Sequence, residues 1–535
     1  MAIVWRARAW PFGYRSPHIQ GAVKRVGLLI LVIALALLVS WRYRIIAGDI
    51  KDKVARPQRH GGNAGFAPPP DEGPADCSIN VTSLRALQVR LELGEQLEYA
   101  ERRIEYAVKN MARRPLMKLD QDLLLGDFHT INMSDAPMPA RCNPPLKVTI
   151  PKSPTPDTVN ASEILFGIST TMSRLKDLVT IREWSYWLTD GRGRSNGAGL
   201  VLLLVDATTT EAEELQVLLN EVGISAEVHL AGKKTEMAER YLSLIPKLHD
   251  SRLNVHRRWL ALCDDDTFFP SMHGLLANLR QHNHSTPHYI GALSEDIHSV
   301  ERHGSQAFGG AGVFLSLPLA SIISRIYSDC SSSSAIAAAD SGWGAQGDIL
   351  LRRCIYENTE VRLTTMLGLY QLDITGDASG FYESGNKPLS LHHYKGGQWH
   401  VATPNEMAKL SRALGEDAFL MRYQTTDDFI LSVGYSVAQY PYGIDFDVLQ
   451  YERTFGAVGD DKGFNFDYVF GPQRKSLSGT GRKIGWQLMQ TEVKRNGVVR
   501  QVYVRKKDDA RWRREGEESE GEGSDGIIVL IWMPG

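Results

Sequence analysis

Between residues 163 and 262 short apolar runs alternate with stretches of helical period, and every run stops at small or polar residues. Glu163-Ile-Leu-Phe-Gly-Ile-Ser-Thr-Thr171 reads as a strand running into a hydroxyl-bearing turn. A helix follows through Arg174, Leu175, Leu178, Ile181 and Trp184. Leu200 to Val205 is a second strand, halted at Asp206. Glu211 to Val222 is a helix, Ala226 to Leu230 a strand, and Thr235 to Leu248 a helix again. Runs this apolar must be covered on both faces, and strands separated by helices pair in parallel. The pattern predicts an α/β fold with a doubly wound, mostly parallel sheet.

The run that closes this series is Trp259-Leu-Ala-Leu-Cys-Asp-Asp-Asp-Thr-Phe-Phe269. A buried strand cannot keep three carboxylates inside without partners, so Asp264, Asp265 and Asp266 emerge at its carboxyl end. In open α/β sheets that end is where ligands bind. Hard divalent cations take oxygen ligands from carboxylates and substrate phosphates, so a strand-terminal Asp-x-Asp suits a metal holding a nucleotide diphosphate. A solvated turn is the competing reading of the same triplet.

The chain is too long for one ordinary core: 535 residues imply two folded domains with flanking segments. A net charge of −2 gives no bulk attraction to nucleic acid. The amino end differs from the rest. Residues 1–25 carry Arg6, Arg8, Arg15, Lys24 and Arg25 with no acidic residue, and the uncharged run Val26 to Trp41 follows. As a helix this run spans roughly 24 Å, short for a ~30 Å hydrocarbon core, but Trp41, Tyr43 and the snorkelling Arg42 and Arg44 extend it. No small-residue cleavage site precedes Arg42, which favours an uncleaved anchor over residues 26–46. Lys and Arg also follow the span up to position 59, so charge alone leaves its orientation open. Asn80, Asn132, Asn160 and Asn283 head N-glycosylation sequons, which are permissive of a lumenal body. Ile527 to Met533 is apolar but too short to span.

Composition suggests the remaining boundaries. Residues 47–76 are Gly/Pro-rich and fit a flexible stem. Residues 77–158 are expected to be a helical stem and linker. Within them Leu84 to Met111 reads as an amphipathic helix packed on the body, or as a coiled segment joining two copies. The body is expected over 159–404, a smaller β-rich domain over 405–510, and a disordered acidic tail over 511–535. Five cysteines leave one over: Cys330 with Cys354 and Cys77 with Cys142 are candidate disulfides, Cys263 is the buried remainder, and five reduced thiols are the alternative.

Three later segments bear on the aspartates. Ala307-Phe-Gly-Gly-Ala-Gly-Val-Phe-Leu-Ser316 sets Gly309, Gly310 and Gly312, with Ala311 among them, before an apolar strand, where a backbone approaches a ligand closely or simply turns. Ser341-Gly-Trp-Gly-Ala-Gln-Gly-Asp348 delivers one carboxylate to the start of a helix, as a cap or as a catalytic group. Leu389-Ser-Leu-His-His-Tyr394 places two histidines on an extended segment, as ligands or as core hydrogen-bonders. The Gly-x-Gly-x-x-Gly match at Gly342 to Gly347 follows no clear strand, and no phosphate-binding Gly-Lys-Thr loop exists, which argues against a dinucleotide or ATP site.

Taken in order, ISTT with SRLKDLVTIREW, WLALCDDDTFF, Tyr289-Ile-Gly-Ala-Leu-Ser-Glu295, AFGGAGVFLS and SLHHY resemble the blocks of Fringe-like, family 31 β1,3-glycosyltransferases, in particular their fungal and plant membrane-anchored relatives. The resemblance covers about residues 160–400. It implies a GT-A-like fold, a UDP-sugar donor and a bound Mn2+. By that match Asp264 and Asp266 belong to the metal motif and His392 is the distal ligand, with His393 its fallback. Thr170, Thr171, Arg174 and Asp206 line the nucleotide pocket, and Asp265 serves the ribose or a neighbouring turn. Gly309, Gly310, Ala311 and Gly312 form the loop beside donor and acceptor, and Asp348 is the catalytic base. The implied protein is an inverting transferase anchored by one helix in the Golgi or ER membrane, with a lumenal body, acting on a glycan or glycoprotein. Many relatives carry two acidic residues at the base position, whereas here Gln346-Gly-Asp348 offers one. Two other classes stay open: an inactive, membrane-anchored sugar-binding or scaffold protein on a transferase fold, and a metal-dependent hydrolase, which the lack of a His-rich dinuclear cluster disfavours.

Overall fold

The computed structural model describes residues 81–134, 143–232, 235–456, 467–494, 496–516 and 523–535. The expected basic tail, anchor and flexible stem lie outside them, as do Cys77, Asn80 and Cys142. Among the described residues no helix is long and apolar enough to cross a membrane.

Seven strands form the first sheet, in the order Leu363–Thr365, Tyr289–Gly291, Val313–Ser316, Trp259–Leu262, Ile164–Thr171, Gly199–Val205, Ser225–Leu230. Pairing is parallel throughout except around Val313–Ser316, which runs against both neighbours. The mostly parallel, doubly wound sheet is thus present. Alternate side chains feed two cores, as the period of two in a strand requires. Leu165, Val201, Leu203, Leu260 and Leu262 face helices Met237–Asp250, Leu317–Arg325 and Gly347–Asn358. Phe166, Ile168, Leu200, Leu202 and Leu204 face helices Val179–Leu188, Thr209–Glu221 and Met272–Leu279. At about 1.5–3 kcal/mol for each fully buried large apolar side chain, these two layers dominate the stability of this half.

The second sheet has ten strands and departs from expectation. Its path runs Met117–Lys118, Arg422–Gln424, Phe429–Ser432, Ser436–Gln439, Ile484–Val493, Val499–Arg505, Asp525–Pro534, Gln96–Lys109 and His129–Asn132, with Leu146–Pro151 also paired to Gln96–Lys109. The antiparallel strands expected near 429–440 and 497–504 are here. The helical stem is not. Among the described residues of that stretch the one α-helix is Val81–Leu91, and its Leu84 and Leu87 are buried within this chain against Tyr99, Val502 and Val529. That apolar face is therefore satisfied internally rather than by a second copy. Residues 96–109 form a strand instead of continuing the helix, with Ala100, Ile104 and Tyr106 in the core. The tail read as disordered holds Asp525–Pro534, a strand buried between two neighbours, because a continuous apolar run fits a strand covered on both faces. Nor do residues 405–510 close on themselves. Ile104, Val148, Leu431, Trp486 and Trp532 share one core with Phe166 and Leu202, and the Tyr186 hydroxyl donates to the Ala408 carbonyl at 3.2 Å.

Candidate active site

Strand direction gathers the singled-out residues at one edge of the first sheet. Ile164–Thr171, Gly199–Val205, Trp259–Leu262 and Tyr289–Gly291 all end there, and the reversed strand Val313–Ser316 begins there. Thr170, Thr171, Asp206, the three aspartates and the glycine turn consequently share one rim.

Two extended segments meet across that rim. Phe268 and Leu391 exchange backbone hydrogen bonds of 2.8 Å each way, and this short antiparallel bridge sets His392 opposite the aspartates. His392 Nε2 lies 3.3 Å from Asp264 Oδ2 and 3.1 Å from Asp266 Oδ1, and one ligand atom from each of the three residues falls within 4.8 Å of the others. Nδ1 donates to the Gln371 carbonyl at 3.1 Å, which orients the ring and leaves Nε2 for the carboxylates or a metal. Burial alone would lower the pKa of His392, but its hydrogen bonds and charge contacts with Asp264 and Asp266 push it up to about 10. Asp266 is partly buried, yet the same imidazolium holds its carboxyl well below the usual range. The two acids thus draw a cation between them. Two carboxylate oxygens and an imidazole nitrogen are a donor set that Mn2+ accepts, so the residues fit the metal the resemblance implies.

Asp265 turns the other way. Its carboxylate accepts from the Thr170 hydroxyl and from Arg174 Nη2, the latter at 2.5 Å. An unpaired carboxylate this deeply buried would cost several kcal/mol, and these partners offset that cost. Both of its oxygens are therefore engaged within the chain. Arg174 also lies 3.7 Å from Asp266 Oδ2 and is half exposed, so its guanidinium remains available at the rim. The Thr171 hydroxyl meets Ser173 Oγ at 2.9 Å, and Asp206 stands exposed after Val205, the register partner of Thr171.

The glycine turn is pinned at four points. Gly309 N donates to Asp348 Oδ2 at 3.2 Å, Gly310 O accepts from the Thr267 hydroxyl at 2.8 Å, Ala311 N donates to Gln371 Oε1 at 2.9 Å, and Ala311 O accepts from Ser390 Oγ at 2.6 Å. Its small residues are demanded by close approach. A Cβ on Gly310 would lie 2.1 Å from the His392 ring, and one on Gly309 would lie 2.9 Å from Asp348 Oδ1. Gly312 adds a positive φ of 98°. Asp348 sits in the first turn of helix Gly347–Asn358, two residues past the cap residue Gln346, and its carboxylate reaches the glycine turn instead of capping its own helix. Burial and the nearby Asp264 charge push its pKa up to about 7, against the pull of the Gly309 N–H and the Tyr241 hydroxyl. A carboxyl poised there suits proton transfer near neutral pH.

His393 is not interchangeable with His392. Its Nδ1 is 3.1 Å from Asp373 Oδ1, its ring stacks on Trp399 at 3.9 Å, and its backbone is left-handed at φ 55°. Asp373 also accepts from Ser294 Oγ at 2.5 Å, and the neighbouring Glu295 is pushed up to about 8 by burial and by Asp373. Thr267, Gln371, Ser390, Tyr241 and Asp373 were not singled out from the sequence. Thr267 follows the aspartates directly and Ser390 lies two residues before His392, which were the available signals; the others become visible only once the segments meet.

Cys330 and Cys354 form a disulfide with Cα atoms 5.3 Å apart, and Cys263 is a free, buried thiol. Asn132, Asn160 and Asn283 are all exposed.

A family described as "Protein of unknown function, DUF604" matches residues 299–525, which include the glycine turn, Asp348 and His392 but not the three aspartates. No curated protein matches the sequence. Among solved structures, the mannosyltransferase PcManGT from Pyrobaculum calidifontis, in complex with GDP-Man and Mn2+, matches at 8% identity and a TM-score of 0.25, over 44% of this chain and 62% of its own. Mouse xyloside xylosyltransferase 1, apo form, matches at 14% identity and 0.26, over 38% and 85%. The galactosyltransferase LgtC, in complex with donor and acceptor sugar analogs, matches at 11% identity and 0.27, over 38% and 73%. These likenesses are shallow and partial, and the chain spans less than two thirds of the first of them.

Proposed function

We propose that this chain is an inverting glycosyltransferase of the Fringe-like, family 31 kind, moving a sugar from a UDP-sugar to a glycan acceptor. One observation carries the reading. A cation-seeking trio, Asp264, Asp266 and His392, faces a carboxyl poised near neutrality, Asp348, across a glycine turn that touches both His392 and Asp348.

In this reading the trio holds Mn2+, which when bound supplies Lewis-acid neutralisation of the diphosphate. Arg174, half exposed beside Asp266, adds a fixed positive charge on the donor side. Asp348 accepts the proton of the attacking acceptor hydroxyl. The acceptor oxygen then forms its bond to the anomeric carbon as the bond to UDP breaks, the electron pair leaving with the diphosphate. One displacement inverts the anomeric centre, and general-base assistance of this kind contributes about 10²–10⁴-fold. The exposed sequons and the Cys330–Cys354 bridge support a lumenal body in the secretory pathway, held by the anchor at 26–46.

Calorimetric titration with UDP tests the site: binding should require Mn2+ and vanish in Asp266→Ala. A screen of UDP-sugars for Mn2+-dependent hydrolysis and transfer then names the donor, and Asp348→Asn should keep UDP binding while losing transfer about 10²–10⁴-fold. Mn2+-dependent UDP binding with no turnover of any UDP-sugar would instead indicate an inactive sugar-binding protein. UDP binding that ignores Mn2+ would refute the metal trio.

A further inference from the structure

The sheet divides the rim into two sides. Thr170, Arg174 and Asp265 stand on one side of the aspartate strand, at the ends of Ile164–Thr171 and its continuation. The glycine turn, the end of Tyr289–Gly291 and Asp348 stand on the other. If the nucleotide takes the first side, the acceptor must approach from the second.

On that second side, a few residues before Asp348, Trp343 is 77% exposed. It is held out rigidly. Asp340 Oδ1 accepts from both Gly342 N at 2.7 Å and Gly344 N at 3.1 Å, and Asp340 bridges to Ala345 across the turn. The flanking glycines have φ of +87° and +94° and nothing within 4 Å of where a Cβ would stand, so the tip projects clear of the body. The Arg302 guanidinium lies 5.7 Å from the centre of the indole. Arg302 belongs to the helix Ile297–His303, whose His303 packs edge-on against Phe308 immediately before Gly309. Trp343 is thereby tied to the same segment that leads into the pinned glycine turn.

At 77% exposure the indole keeps most of its area for a ligand even with the Arg302 guanidinium beside it. Its electron-rich face is complementary to the positive C–H edge of another ring. We propose that Trp343 is the platform on which a sugar ring of the acceptor glycan stacks, the Arg302 guanidinium holding the indole in place. This rests on the transferase reading above. The occupant is a neutral pyranose presenting a face of C–H groups.

The test uses the full chain, fluorescently labelled, on an array of neutral oligosaccharides with UDP and Mn2+ present. The wild type is expected to bind a subset of them, and Trp343→Ala to raise half-saturation at least tenfold, with partial recovery in Trp343→Phe. Tyr442→Ala, at an aromatic 66% exposed on the second sheet, is expected to bind like the wild type. No binding by the wild type, or equal binding by Trp343→Ala, overturns the platform. Calorimetry of Mn2+-dependent UDP binding on the same preparations separates the two ideas: its absence refutes the transferase reading, while its presence beside a silent array refutes the platform alone.

Discussion

Each half of the molecule buries a cation between two carboxylates, and the two clusters are built to opposite ends. In the second sheet Lys483 is fully buried, with Nζ 2.7 Å from Glu383 and 2.8 Å from Glu452. Arg474 and the Leu477 N–H complete the shell around Glu452, and the charges push Lys483 above its ordinary value. In the first sheet the cation is His392, between Asp264 and Asp266, and Asp264 is 48% exposed. Lysine keeps its proton and closes its cluster. Histidine can release its proton and offer a lone pair, so the same arrangement becomes a ligand set open on one side. What separates a brace from a site here is whether the central cation can be exchanged.

The strongest way to break this comparison is His392→Lys, which installs the permanent cation in the open cluster. The thermal shift on adding Mn2+, and all Mn2+-dependent UDP binding, should vanish while the fold persists; a retained Mn2+ response would refute the exchange argument. Next in size is Lys483→Met. It leaves Glu383 and Glu452 buried without their cation, and denaturant unfolding should show a loss of about 3–5 kcal/mol with Mn2+ affinity of the folded protein unchanged. Little destabilisation would mean that Arg474 at Glu452 and the Ser436 hydroxyl at Glu383 suffice without the lysine. The smallest effects are in pH. Metal must displace the His392 proton, so Mn2+ affinity should rise about tenfold per unit across the neutral range, below the imidazole's value of about 10. Transfer should rise through pH 7 as Asp348 ionises. The sign for stability is opposite: the raised Asp348 value favours the protonated carboxyl in the folded state, so its contribution is lost as pH climbs from the usual carboxylate range through about 7. Asp348→Asn should flatten that decline in a pH series of melting curves.

The two halves also differed in how much their sequences disclosed. The strands at 164–171, 199–205 and 259–262 were legible because each is short, apolar and cut off by polar residues, and the direction of parallel strands then placed the aspartates at the functional edge. Asp348 and the histidine pair stood out locally, but the choice between their alternatives came from resemblance, and the approach of His392 to the aspartates depends on the Phe268–Leu391 bridge, which no local pattern announces. Residues 96–109 were misread for a specific reason. Their inward positions include Arg102, buried with its Nη atoms donating to the Pro144 and Asp122 carbonyls, and Tyr99 and Ala100 are buried in succession, which disguises the period of two. At the other end, Ile527 to Met533 is apolar but too short to span a membrane. Its true partners, one of them more than four hundred residues away, leave no trace in its own composition.

That last pairing sets a schedule for biosynthesis. Gln96–Lys109 aligns in parallel with Asp525–Pro534 over ten register pairs, from Leu97 with Asp525 to Tyr106 with Pro534. A ribosome adding ~5–20 residues per second needs roughly 20–90 s to deliver the second strand after the first. Throughout that interval the earlier strand has an open edge and an uncovered apolar face. Its safekeeping then falls to the helix Val81–Leu91, the neighbouring strands and cellular chaperones. Residues 525–534 finish the work begun by the earliest described strand.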